Sequence, residues 1–187
     1  GGLACLNAIL DGGTMLTNGG DRSMRVERLP GYGSIVMRTY GVKAGDLVIL
    51  VNAYGINAAL IDAALECKRL GATIIGVSSR QHAENTPPEH PARHPTKQNL
   101  HNLVDYHIDT KVPVGDALMS LEGVTQNTGA ISSFASGFAL HALEIATIDL
   151  LSQEGIDPPI WRSGNATGGD EWNKQFQERY KGKIAFL

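Results

Sequence analysis

Three polar turns in this chain of 187 residues carry side chains suited to gripping a small polar ligand. The first, Asn52-Ala53-Tyr54-Gly55-Ile56-Asn57, brings two amides, a phenol and a glycine. The second, Ser78-Ser79-Arg80-Gln81-His82, brings two hydroxyls and an imidazole, and the third is the pair Ser132-Ser133 at the predicted start of a long helix. Amides and hydroxyls both donate and accept hydrogen bonds. Helix N-termini add free N–H groups and the positive end of the helix dipole, which favours an anion such as phosphate. Several such turns converging would cradle a phosphate without a lysine. Glu27, in Val26-Glu27-Arg28-Leu29-Pro30-Gly31-Tyr32, adds a carboxylate. A partly buried carboxylate beside a reacting carbon can serve as a general base. The plainer alternative for Glu27 is a solvated helix glutamate flanked by Arg25 and Arg28.

Other residues enter with two readings each. His82 either meets a bound ligand or is an ordinary loop histidine. Asp116, in Val112-Pro113-Val114-Gly115-Asp116-Ala117-Leu118, either binds ligand hydroxyls or shapes its loop. Asn165 and Asp170, in Ser163-Gly164-Asn165-Ala166-Thr167-Gly168-Gly169-Asp170, either form a lid or complete a neighbour's site; alternatively Asp170 caps the last helix. His90, His94 and His101 match no rigid metal-ligand spacing, so no metal is expected, and no G-x-G-x-x-G follows a strand to suggest a dinucleotide. No cofactor is expected.

The elements that must position these turns follow from periodicity. Leu47–Val51 is an unbroken apolar run, as in a strand covered on both faces. Residues 57–71 read as an amphipathic helix, with Ala58, Ile61, Ala64 and Leu65 on one face and Asp62, Glu66 and Arg69 on the other. Asn57 is the expected N-cap and Gly71 the C-terminal stop. Residues 72–79 are a second buried strand, so strand, helix and strand make a right-handed βαβ unit with parallel strands. In an open α/β sheet, ligands sit beyond the carboxyl ends of the strands. Further strands are expected at 3–10 and 103–109, two short helices on either side of Pro30, a long loop at 80–99, irregular chain over 110–131, and helices at 132–155 and 171–183.

Bulk properties bound the rest. The composition is 42% hydrophobic and 19% charged, an ordinary globular balance, and the length suits one domain. A formal net charge of −3 argues against a nucleic-acid surface. Two cysteines, Cys5 and Cys67, make no disulfide framework, so the cytoplasm is the expected location. No uninterrupted apolar run approaches a membrane span.

The stretch GDLVILVNAYGINAALIDAALECKRLGATIIGVSS resembles the SIS domain, the sugar-isomerase fold of phosphosugar isomerases and phosphosugar-sensing regulators. The whole chain is similar to a little-characterised SIS family described as phosphosugar or phosphoheptose isomerases. The stretches that carry this are VERLPGYGSIVMRTYGVKAGDLVI, HPTKQNL, VPVGDAL, ISSFASGFALHAL and PPIWRSGNATGGDEWNKQFQERYKGKI. The resemblance implies a three-layer α/β sandwich around a mostly parallel sheet, a single domain over 1–187 lacking the usual N-terminal helix and first strand, and a homodimer or homotetramer with sites near the interface. It implies either a metal-independent sugar-phosphate isomerase, with Glu27 as the base that passes a proton between adjacent carbons of an aldose or ketose through an enediol, His82 helping to open the sugar ring and Asp116 binding its hydroxyls, or a non-catalytic sugar-phosphate sensor or subunit. Its turn usually reads Ser-Asn-Ser-Gly, with hydroxyls holding phosphate; here those serine positions are Asn52 and Tyr54, while Gly55 and Asn57 are kept. Phosphate would then fall to Ser78, Ser79, Ser132 and Ser133, or the ligand would lack one.

Overall fold

The computed structural model describes residues 1–184. Leu47–Val51 forms strand β1, Thr73–Ser78 forms β2 and Tyr106–Asp109 forms β3. The sheet is parallel in the order β1-β2-β3, with Leu47 opposite Thr73, Val51 opposite Val77, and Ser78 opposite Asp109. The expected βαβ unit is present. Its carboxyl ends lie side by side: the Asn52 N–H bonds Val77 O at 3.0 Å, and the Ser79 N–H bonds Ala53 O at 3.0 Å.

Pro30 breaks the preceding segment into helices α1 (Gly20–Glu27) and α2 (Tyr32–Thr39), as expected. The helix between β1 and β2, Ala58–Leu70, is α3. It begins after Asn57 and ends at Gly71, whose φ of 80° is the left-handed closure that glycine allows. Its polar face was expected in solvent, yet Asp62 and Glu66 are buried. The cause is close packing of α2. A Cβ on Gly33 would lie 1.8 Å from Ala59 O and 2.7 Å from Ala63 N, so only glycine lets the two backbones meet. Gly33→Ala is expected to destabilise the protein by about 1–3 kcal/mol or more through overpacking, read as a lowered urea midpoint.

Both buried acids are answered. Asp62 accepts from the Gly31 N–H and pairs with His94 Nε2 at 3.0 Å, tying the break at Pro30 and the loop after β2 to α3. Glu66 lies between Arg69 and Arg38, whose guanidinium groups hold its carboxyl down to about 2. Because this pKa is depressed in the folded state, its stabilising contribution is full above the ordinary carboxylate pKa of 4.5 and is lost as pH falls from there towards 2. Urea midpoints at pH 5.5 and pH 2.5 should therefore converge more closely in Glu66→Gln than in wild type.

Four expectations are corrected. Residues 3–10 form no strand; Leu3 makes only a single bridge to Ile160. The segment read as loop at 80–99 opens with helix α4, Arg80–Asn85. The segment read as irregular holds an antiparallel pair, β4 (Ala117–Met119) and β5 (Thr128–Ala130). The last helix, α6, runs Gly169–Tyr180 with Gly168 at its N-cap, so Asp170 lies inside the first turn.

The chain divides into two compact units, Leu10–Ala139 and Gly1–Ile9 with the chain from Leu140 onward. In the latter, Phe176 packs edge-on to Trp161 and Trp172. The long helix α5, Ser132–Gln153, contributes to both units and has no buried residue. It is long and apolar enough to cross a membrane by length and composition alone. His141, Glu144 and Asp149 interrupt its apolar sequence.

Candidate functional site

The turn between β1 and α3 is held by its own first residue. Asn52 Oδ1 accepts from the Tyr54 N–H at 3.0 Å and the Gly55 N–H at 2.8 Å. Gly55 has φ 68°, and a Cβ there would lie 2.7 Å from Ser78 Oγ. The glycine is thus required twice, by conformation and by the close approach of β2. Gly55 O in turn accepts from the Leu100 N–H at 2.8 Å.

Ser78 and Ser79 are both 0% exposed, and both hydroxyls have protein partners. Ser78 Oγ bonds His107 Nε2 at 3.0 Å. Ser79 Oγ donates to Val112 O and accepts from the His82 N–H, capping α4. These serines underpin the turn from beneath. Ser79 also orients His82, whose ring stacks on Tyr54 with centroids 3.5 Å apart and planes 8° from parallel. Burial pushes the His82 pKa down, against the opposing effects of a bond to the Pro113 carbonyl and the nearby Asp116 charge, which favours the neutral ring.

Asp116 belongs to the same neighbourhood. Its Oδ1 accepts from the Ile131 and Ser132 N–H groups at 3.0 and 2.7 Å, and its Oδ2 from Ser132 Oγ at 2.7 Å. It therefore caps α5 with a carboxylate, the charge a helix N-terminus prefers. Ser133 is exposed beside it. Glu27 is half-buried at the end of α1. Burial raises its pKa, while Arg28 and a hydrogen bond from the Asn57 side chain pull it back. The Tyr54 phenol is raised by burial and by the charges of Asp116 and Glu27 together. That double influence puts the phenol within electrostatic reach of both carboxylates.

So the structure brings Asn52, Tyr54, Gly55, Asn57, Glu27, His82 and Asp116 into one neighbourhood, with Ser132 tied in through Asp116 and Ser78 and Ser79 below. Asn165 and Asp170 belong to the other unit. The sequence reading did not find the Tyr54–His82 stack, the link from Asn57 to Glu27, or the Ser78–His107 pair. The first could be sought in a tyrosine and a histidine placed after adjacent parallel strands. The others join residues far apart in the chain and carry no local signal.

Against known proteins, the chain is 32% identical over 188 residues to the UPF0309 protein of Oceanobacillus iheyensis, covering all of this chain and 75% of that protein. It is 30% identical over 188 residues to that of Shouchella clausii, covering all of this chain and 75% of that protein. The corresponding values for Streptomyces griseus are 31% over 188 residues, all of this chain and 73% of that protein. The chain belongs to the UPF0309 family. A SIS-domain family model also matches residues 1–79. In this UPF0309 chain the matched region takes in Glu27, the whole 52–57 turn, Ser78 and Ser79. The SIS domain points to a phosphosugar-type, carbohydrate-derivative ligand, and the α/β architecture with its helix-flanked parallel sheet agrees with the SIS fold.

Proposed function

We propose that this UPF0309 protein binds a sugar or sugar phosphate at the 52–57 turn and interconverts its aldose and ketose forms. The observation that carries this reading is Glu27: a half-buried carboxyl of raised pKa, hydrogen-bonded to Asn57 in the turn that the SIS resemblance assigns to the ligand. A base works best when its pKa nears the working pH, and burial moves Glu27 that way. Glu27 takes the proton from C2 of the aldose as the C1 carbonyl becomes an enediol hydroxyl. It returns the proton to C1 as the C2 hydroxyl becomes the carbonyl. The Tyr54 phenol and the neutral His82 ring are suited to moving the hydroxyl proton, and no electrons leave or enter. The test is solvent exchange: incubated in deuterium oxide, the protein should wash deuterium into the carbon-bound C2 position of its aldose.

A second reading, a non-catalytic sugar sensor or subunit, draws on Asn52 and Tyr54 standing where the family turn carries serines. Binding without any deuterium wash-in would favour it. Under either reading we place the protein in the cytoplasm, where Cys5 and Cys67 stay reduced; both are free thiols here. We also read α5 as the surface that joins copies of the chain into a dimer or tetramer. A helix this rich in apolar residues is ordinarily covered, and Phe134 and Phe138 are 80% and 77% exposed.

A further inference from the structure

The polar atoms around the 52–57 turn divide into those already satisfied and those left open, and the division runs against an anion. A phosphate in such a turn needs free backbone N–H groups and hydroxyls. Here the Tyr54 and Gly55 N–H groups are taken by Asn52 Oδ1, and the Ile131 and Ser132 N–H groups by Asp116. The hydroxyls of Ser78, Ser79 and Ser132 are likewise engaged. The protein's own acceptors thus occupy these particular N–H and O–H groups, which a phosphate in the turn would otherwise use.

Two buried side-chain atoms near Glu27 are left open, one an acceptor and one a donor. Asn57 is 5% exposed and stands at the N-cap of α3, where an asparagine oxygen ordinarily takes a helix N–H. It makes no such cap; its amide is turned to Glu27, and its Oδ1 is buried without a donor. Buried acceptors are rarely left unpaired, and such a group points to a missing donor. On the other side of Glu27, Arg28 Nε is a buried donor without an acceptor. A phosphate oxygen would answer Arg28 but not Asn57. A hydroxyl donates and accepts, so vicinal sugar hydroxyls answer both. The carboxylates of Glu27 and Asp116, whose charges both reach the Tyr54 phenol, also favour donors and repel a dianion.

We infer that the 52–57 turn of this protein recognises the hydroxyl groups of an unphosphorylated aldose or ketose, with Asn57 Oδ1 as a sugar-hydroxyl acceptor, and has ceased to be a phosphate cradle. This rests on the proposed carbohydrate reading of the site and narrows its ligand class. Calorimetric titration of the whole protein with pairs of free hexose or heptose and the matching terminal phosphate ester is the test, with inorganic phosphate as a further probe. The free sugar should bind at least as tightly as its ester, inorganic phosphate should produce no heat of binding, and Asn57→Leu should weaken sugar binding at least tenfold while the circular dichroism spectrum is unchanged. The double variant Asn52→Ser/Tyr54→Ser, which restores hydroxyls to the turn, should shift preference towards the ester at least tenfold. A wild-type protein that binds the ester tenfold more tightly than the sugar overturns the inference but leaves the carbohydrate reading standing. No binding of any sugar or ester overturns both. If Asn57→Leu unfolds, Asn57→Ala removes the same acceptor with less bulk; unchanged sugar affinity in that variant counts against the inference.

Discussion

Glu27→Gln is expected to lose the deuterium wash-in reaction by about 10²–10⁴-fold, the usual size of a general-base contribution, while sugar affinity stays within about threefold of wild type. Glutamine has the same shape, and its carbonyl can still accept from the Asn57 amide, so the turn keeps its neighbour. What disappears is the ability to take a proton from carbon. The split between rate and affinity matters, because a merely structural Glu27 would change both together or neither. Exchange is followed by proton NMR of the sugar C2 signal, and affinity by calorimetry on the same preparation. If Glu27→Gln retains wild-type exchange, the base is elsewhere and the mechanism falls.

Phe138→Asp is expected to convert an oligomer into monomer. Phe134 and Phe138 lie one helical turn apart on α5 and are both largely exposed in the single chain. Burying a phenylalanine side chain is worth about 1.5–3 kcal/mol. In a two-fold interface each substitution counts twice, so one change should raise the dimer dissociation constant by about 100-fold or more. Sedimentation velocity over a concentration series reads this directly. A wild-type chain that sediments as a monomer at every concentration, or a Phe138→Asp variant that stays oligomeric, removes α5 from the interface. The same variant leaves Asn57, Tyr54 and Glu27 untouched, so a fall in sugar binding with dissociation would indicate that a neighbouring copy supports the site.

The readable parts of the sequence were those whose signal is local. Leu47–Val51 and Thr73–Ser78 are unbroken apolar runs, and Asn57 and Gly71 bracket the helix between them, so β1-α3-β2 emerged intact. The turn at 52–57 followed from that unit, because its place at the sheet rim is fixed by the strand it leaves. The unreadable parts depend on partners distant in sequence. Asp62 and Glu66 looked like solvent residues on a polar helix face; Gly33, in another helix, brings α2 close enough to cover them. Residues 3–10 looked like a strand because they are apolar, yet a strand requires a neighbour to pair with, and only Leu3 finds one. Helix α4 was hidden by its polar composition and by Pro87 and Pro88 just beyond it. At the site, the residue types were legible but their employment was not. Nothing in the order of the letters says that Asn52 spends its oxygen on the turn's own N–H groups, or that Asp116 caps α5, or that Asn57 turns away from its helix.

The central claim is that one hollow, formed by the 52–57 turn, His82, Asp116 and Glu27, receives a small carbohydrate. Backbone amide NMR of the isotopically labelled protein, titrated with free aldoses and ketoses and their phosphate esters, tests it most directly. Saturable shifts centred on Tyr54, Gly55, Asn57, His82 and Asp116 are the expected result. Shifts absent across the whole panel, or confined to residues of α6, would contradict it.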